Sequence, residues 1–172
     1  MRKVILGVAI SLDGYIAGPN GEYDWCFTDQ DYGMSDFMKE TDALIMGRKS
    51  YELVQTVEGS NPWNGVTMYV VSNTLRAVSG PDAQLVSGDL TEEVTKLKQL
   101  PGKSIWLFGG AQLTTAFINL GLVDELWLSV HPILLGSGKS LFQQIQDRRK
   151  LTLLESKSYD TGLVSLKYHV NQ

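Results

Sequence analysis

Residues 103–121 read KSIWLFGGAQLTTAFINLG. Ile105 to Phe108 form an unbroken apolar run, Gly109-Gly110 break it, and Leu113, Ala116, Phe117 and Leu120 follow at i, i+3, i+4, i+7. The run predicts a strand buried on both faces, and the later spacing predicts a helix with one apolar face, closed by Gly121. Strand, glycine turn and helix in succession belong to a parallel α/β sheet. The turn also brings bare backbone N–H groups to the positive end of a helix, with no Cβ in the way. An anion such as a phosphate suits that place. Tight strand–helix packing is a second use for the same glycines. The spacing G-x-G-x-x-G is absent, so this is not the standard dinucleotide fingerprint.

The same grammar extends outward. Lys3 to Ile10 is a near-continuous apolar run, which predicts a central strand. Ser11 to Trp25 is a long loop rich in glycine and aspartate, of a length that usually carries function. Met34, Phe37 and Met38 predict a helix from Tyr32 to Thr41. Ala43 to Met46 is a strand ending at Gly47, and Arg48 opens another helix. Pro62, Asn64 and Gly65 mark a loop, Thr67 to Ser72 a strand, and Gln84 to Ser87 a further short one. Asp89 and Glu92 form a capping pair for a helix carrying Leu90, Val94 and Leu97. Glu125 to His131 alternates through Leu126, Leu128 and Val130. Leu151–Ser158 and Leu163–Val170 alternate too, and Asp160-Thr161-Gly162 joins them as an antiparallel hairpin. The expectation is one α/β domain over 1–172, with a mixed, mostly parallel sheet flanked by helices.

The chain has 172 residues, a net charge of −4 and 43% hydrophobic residues, an ordinary globular composition. No basic stripe stands out, so neither nucleic acid nor an anionic membrane is expected as a partner. Cys26 is the sole cysteine, and His131 and His169 are far apart, so no metal site is expected. The run after Met1-Arg2-Lys3 is too short for a signal peptide, and nothing is long enough to span a bilayer. These features predict a cytoplasmic protein.

In parallel sheets, ligands sit beyond the carboxyl ends of the strands. That rule places the loop after Ile10, Gly47-Arg48, Ser72-Asn73 and Gly109-Gly110 along one rim. Gly47, Arg48, Lys49 and Ser50 offer a helix start with two cations and a hydroxyl, suited to a phosphate or simply to solvent. Ser72, Asn73, Thr74 and Arg76 suit a ribose phosphate or a plain polar turn. Asp13, beside Gly14, is the acidic residue most suspected of chemistry; a turn cap is its other reading. Asp29 and Asp31 read first as N-caps. Gly138-Lys139-Ser140 lacks the first glycine of a P-loop, and no G-x-S-x-G elbow exists.

SLDGYIAG, DALIMGRKSYE, TMYVVSN, IWLFGGAQL and VDELWLSVHPILLGSG, in that order, resemble the dihydrofolate reductase-like superfamily. The likeness is strongest to the reductase half of the bifunctional riboflavin-biosynthesis deaminase-reductase and its stand-alone bacterial relatives. It implies a three-layer fold with about eight strands, NADPH as cofactor, a small-molecule substrate and a homodimer, for which the apolar strand ELWLSVHPILL offers a pairing surface. It implies that Gly109, Gly110, Ala111 and Gln112, flanked by Phe108 and Leu113, hold a pyrophosphate, with a cis peptide between the glycines. Arg48 and Ser50 would bind phosphates, Ser72, Asn73 and Arg76 the adenosine ribose and its 2′-phosphate, and Ala9 the nicotinamide. Ser11, Asp13, Gly14, Ile16 and Trp25 would face the substrate. The implied activity is hydride transfer to a C=N or C=O bond of a pyrimidine- or pterin-like ring, such as reduction of 5-amino-6-(5-phosphoribosylamino)uracil. Dihydrofolate reductase and a non-catalytic nucleotide-binding module are the alternatives. Tyr15 stands where the riboflavin reductases carry Lys, and Phe108 where they carry Glu. A carboxylate near the first helix, as in dihydrofolate reductases, falls on Asp31 without a gap; a two-residue shift puts Gly33 there.

Overall fold

The apolar run Ile105–Phe108 lies where its composition requires, inside a sheet with a strand on each side. The computed structural model describes residues 1–56, 63 and 65–171. Its elements are β1 (Val4–Ser11), β2 (Tyr15–Ala17), α1 (Met34–Lys39), β3 (Thr41–Gly47), α2 (Arg48–Thr56), β4 (Thr67–Val71), β5 (Ala83–Val86), α3 (Leu90–Gln99), β6 (Ser104–Gly109), α4 (Ala111–Asn119), β7 (Glu125–His131), β8 (Lys139–Ser140), β9 (Leu151–Ser158) and β10 (Val164–Val170). The main sheet has eight strands in the order β5-β4-β3-β6-β1-β7-β10-β9. From β5 to β7 every pairing is parallel, while β10 is antiparallel to both β7 and β9.

Two cores fill the two sides of this sheet. Phe37 of α1 and Tyr51 of α2 pack with Leu44, Met46, Trp106 and Trp127 on one face. Val94 of α3 and Phe117 of α4 pack with Leu6, Ile105 and Leu107 on the other. From β1 to β4 the chain steps toward one edge with its helices on the first face. From β5 to β7 it steps back with its helices on the second. Reversing both direction and face keeps one crossover hand throughout.

Four local expectations change. Helix α1 starts at Met34 instead of Tyr32, because Tyr32 (φ 50°) and Gly33 (φ 87°) take left-handed conformations that no helix turn contains. Strand β7 lies between β1 and β10, so the two-fold pairing expected of ELWLSVHPILL is closed to it. The alternation in Leu151–Ser158 buries no face; every residue of β9 is exposed. Within the long loop, β2 pairs with β8, two segments too short to show a period. The expected capping pair is present, with Asp89 Oδ1 accepting from the Glu92 N–H at 2.9 Å. Pro62 and Asn64, read as a loop, lie outside the described residues.

Phe117 is fully buried, whereas Leu120 on the same helix is 49% exposed. Phe117→Ala is expected to cost about 3–5 kcal/mol in urea unfolding. Leu120→Ala is expected to change stability by no more than about 0.5 kcal/mol. Equal losses would mean that the helix is docked by a different face.

Candidate functional site

β3 and β6 are parallel neighbours, with Met46 opposite Gly109. Their last residues therefore come level, and the helices that follow, α2 from Arg48 and α4 from Ala111, begin side by side. Each helix start presents unpaired N–H groups and roughly half a positive charge. Gly110, the N-cap of α4, supplies no side-chain cap. The Gly109–Gly110 peptide is cis, and Gly109 has φ 112°. A Cβ built on Gly110 would stand 3.4 Å from Ser50 Oγ, and one on Gly47 would stand 3.9 Å from Leu113 Cβ. The glycines thus keep a narrow gap open between the two helix starts. Ala111 is half-buried, Gln112 and Lys49 are exposed, and Arg48 pairs with Glu52 at 3.3 Å. This set of donors fits a diphosphate group.

The rim continues onto β4, where Val71 lies opposite Gly47. Ser72 is buried, and its Oγ accepts from the N–H groups of Thr74 (3.2 Å) and Leu75 (3.0 Å). Asn73 Oδ1 accepts from the Gly88 N–H at 2.9 Å. Both side chains shape the turn, and Arg76 projects beyond it, exposed.

On the other side of the rim, Ser11 Oγ donates to Asp13 Oδ1 at 2.6 Å and accepts from the Tyr15 N–H at 2.9 Å. The Asp13 carboxylate also accepts from the N–H groups of Leu135 (3.1 Å) and Gly136 (2.7 Å). The Ser11 hydroxyl, then these amides, hold its pKa below the usual carboxylate range. Asp13 therefore ties its loop to residues 135–136 as an anion. Gly14 (φ 92°) has open space around it, and Ile16 packs against the core that holds α4.

The opposite face of β1 carries a cavity of about 250 Å³, floored by Gly7, Val8 and Ala9 and walled by Trp106 and Trp127. Ser129 and His131 of β7 line it, and Cys26, Phe27, Asp31 and Tyr32 close it from the loop. Ala9 is the one expected contact that lines this cavity; Ser11, Asp13, Gly14, Ile16 and Trp25 do not. Sequence reasoning missed the aromatic walls. A signal was present, since Trp127, Ser129 and His131 are the alternate face of the strand identified by Leu126, Leu128 and Val130. Burial, then Asp24, pushes the Cys26 thiol up to about 11, so it remains protonated. Among the described residues, no group of three or more His, Cys, Asp or Glu is placed to hold a metal ion. No described helix is long and apolar enough to cross a membrane.

His131 latches the loop over the cavity. It is 3% exposed, with Nδ1 2.9 Å from the Ser129 carbonyl oxygen. That contact assigns the proton to Nδ1, leaving Nε2 to accept from the Phe27 N–H at 3.1 Å. Trp25 and Phe27 pack edge-on against the ring at 5.3 and 5.0 Å. The indole Nε1 of Trp25 is buried and has no partner among the described residues. Burial lowers the His131 pKa from 6.5. The neutral ring's contribution to stability is thus complete above about pH 6.5 and is lost as pH falls through the folded-state value. Wild type is expected to lose urea stability as pH falls below about 6.5, with a smaller slope for His131→Asn. Identical slopes would remove His131 as the latch.

Residues 2–165 match the model of the RibD C-terminal domain. The uncharacterized protein YyaP of Bacillus subtilis (strain 168) is 42% identical over 181 residues, covering 99% of this chain and 96% of its own. A Caenorhabditis elegans protein provisionally described as a dihydrofolate reductase is 31% identical over 141 residues, covering 75% of this chain and 71% of its own. The crystal structure of a Shewanella sp. PV-4 protein, provisionally described as a riboflavin biosynthesis protein, superposes with a TM-score of 0.88 at 28% identity, covering 100% of both chains. With the level glycine ends of β3 and β6 and the aromatic cavity beside them, these matches show that the chain belongs to the RibD C-terminal domain family.

Proposed function

We propose that this chain is an NADPH-dependent reductase that passes a hydride to a C=N or C=O bond of a planar pyrimidine- or pterin-like substrate. One observation carries the reading: the anion gap and the aromatic cavity meet at β1. β1 and β6 pair through Leu6 and Leu107, and Ala9, on β1, and Gly110, just past β6, both lie beyond that pairing. Ala9 is small and lines the cavity. A dinucleotide held by its diphosphate at the two helix starts would lay its nicotinamide along Ala9, facing the cavity.

NADPH supplies the hydride, and the chain supplies position and electrostatics. The first-turn amides of α2 and α4 would hold the diphosphate, and Arg76 would meet the 2′-phosphate beside Ser72. Trp106 and Trp127 form apolar walls for a flat ring, while Phe27 and Tyr32 exclude water. Of the four aspartates between β1 and α1, Asp13, Asp24, Asp29 and Asp31, Asp31 alone lines the cavity. Its carboxylate accepts from the Ser35 side chain and backbone, which hold its pKa below the usual carboxylate range. It is placed to anchor ring N–H groups as an anion. Asp13 acts as a positioning residue that holds the loop.

Family membership and the Shewanella likeness support a pyrimidine of riboflavin synthesis, 5-amino-6-(5-phosphoribosylamino)uracil, as substrate. Phe108 weighs against it. It packs edge-on at 5.3 Å from Trp106 and 5.1 Å from Trp63 and is a hydrocarbon ring with no polar group to offer. A site built on hydrogen bonds discriminates strongly through them. Asp31 beside α1 and the C. elegans relative favour a second reading, dihydrofolate reduction, which methotrexate-sensitive turnover of dihydrofolate would identify. On either reading the chain acts in the cytoplasm on small molecules, without nucleic acid or membrane as partner.

Calorimetry is expected to show NADPH binding more tightly than NADH, with binding abolished in Gly110→Val, whose side chain enters the gap beside Ser50. NADPH binding with no oxidation by any pyrimidine or pterin would turn the reading to a nucleotide-binding module. Absence of cofactor binding would overturn it. Asp31→Asn is expected to lower kcat/KM on the order of 100-fold, with NADPH affinity unchanged.

A further inference from the structure

The cavity and the rim beside it differ in charge. Arg48, Lys49 and Arg76 stand exposed on the rim, at the start of α2 and beyond β4. None of the chain's fifteen lysines and arginines lines the cavity, and all fifteen are among the described residues. The charged group in the lining is the Asp31 carboxylate, since His131 is neutral while Nε2 accepts the Phe27 N–H. Two further carboxylates act on the walls. Asp29 accepts from the Tyr32 hydroxyl at 2.7 Å, and Asp24 helps to raise the Cys26 thiol. Residues 11–33, which run from the end of β1 to α1, contain no lysine or arginine at all. The cations of the neighbouring elements are engaged elsewhere. Lys39 pairs with Asp36 at 2.8 Å, and the Lys157 ammonium lies 4.8 Å from the centre of the Tyr159 ring, which is outside the lining.

A phosphate ester carries nearly two negative charges at neutral pH. Losing its water is costly unless a cation or a set of N–H donors replaces it. Here no cation does so, and Asp31 repels it across a partly buried space where charges are felt more strongly than in water. We propose that the cavity admits only substrates without a phosphate or other anionic group: flat rings, neutral or cationic, free of a sugar-phosphate or carboxylate tail. The inference rests on reading the cavity as the substrate site of a reductase, and it narrows the substrate class of that site. The groups that remain suit such a ring. Trp106 and Trp127 give apolar walls, and aromatic faces beside a carboxylate favour positive charge. Ser129, level with Ala9 across the β1–β7 pair, offers a neutral hydroxyl that can donate or accept.

Gln30 is the position at which this preference can be reversed. It lines the cavity, is exposed, and precedes Asp31. Gln30→Lys adds a cation at the cavity mouth and leaves in place the hydrogen bonds that Asp31 accepts from Gly33 and Ser35.

The test uses the full chain without cofactor, so it does not depend on turnover. The probes are two matched pairs: 5-amino-6-ribosylaminouracil with its 5′-phosphate, and neopterin with its 3′-phosphate. Calorimetry at low salt is expected to show the phosphate-free member of at least one pair binding about 10-fold more tightly than its phosphate. Added salt is expected to shrink that ratio, because it screens the carboxylates. Gln30→Lys is expected to reduce the ratio at least about 5-fold at low salt. The indole N–H signals of Trp106 and Trp127 should shift as the phosphate-free member binds. A phosphate that binds as tightly as its parent in either pair would overturn the proposal. So would a ratio that Gln30→Lys leaves unchanged, binding that moves neither indole, or no binding by any probe. NADPH that fails to bind, or that no ring oxidises, would instead overturn the reductase reading, because the cavity's preference is measured without it.

Discussion

Two parallel strands that end level in glycine dictate most of the geometry of this fold. β3 and β6 pair up to Met46 and Gly109; α2 follows β3 directly and α4 follows β6 after Gly110. A helix start cannot pair its first N–H groups within itself. Here two such starts lie side by side, and Gly47 and Gly110 add no Cβ between them. Their combined field favours an anion there. The inner strands are apolar on both faces because helices cover both sides, with Leu107 in one core and Trp106 in the other. The rim is fixed by the core beneath it.

A second close approach builds the cavity. Trp106 of β6 donates its indole N–H to the Gly7 carbonyl of β1 at 2.8 Å. A Cβ on Gly7 would stand 2.8 Å from that nitrogen, so the tryptophan lies across β1 because residue 7 has no side chain. Phe37 packs on both Trp106 (5.2 Å) and Trp127 (4.4 Å), fixing the two walls from α1. The helix has only six residues and leaves the carboxyl half of β1 uncovered. The loop from Trp25 to Tyr32 closes over that half, held by His131. Cofactor rim and cavity thus meet at β1, one built from backbone donors and the other from aromatic side chains.

The framework was legible where a residue's local chemistry matches its final role. The Ile105–Phe108 run, the Gly109-Gly110 break and the Asp89–Glu92 cap each specify geometry within a few residues. The cavity was not legible in the same way, because Phe27, Trp106 and Trp127 come from three separate segments that only the sheet order brings together. Asp13 shows the limit most clearly. Its place after β1 suggested chemistry or a turn cap; besides Ser11 two residues before it, its hydrogen-bond partners Leu135 and Gly136 lie more than 120 residues away in the chain. The alternation in β9 was real yet buried nothing, because period alone does not say whether a second layer exists to cover the strand.

The most direct measurement is nuclear magnetic resonance of nitrogen-15-labelled protein titrated with NADPH. The amides of Arg48 to Ser50 and of Ala111 to Leu113 are expected to shift together, with Gly7 to Ala9 following in the same titration. Shifts confined to the cavity, or lying away from both helix starts, would contradict a cofactor site built on the paired ends of β3 and β6.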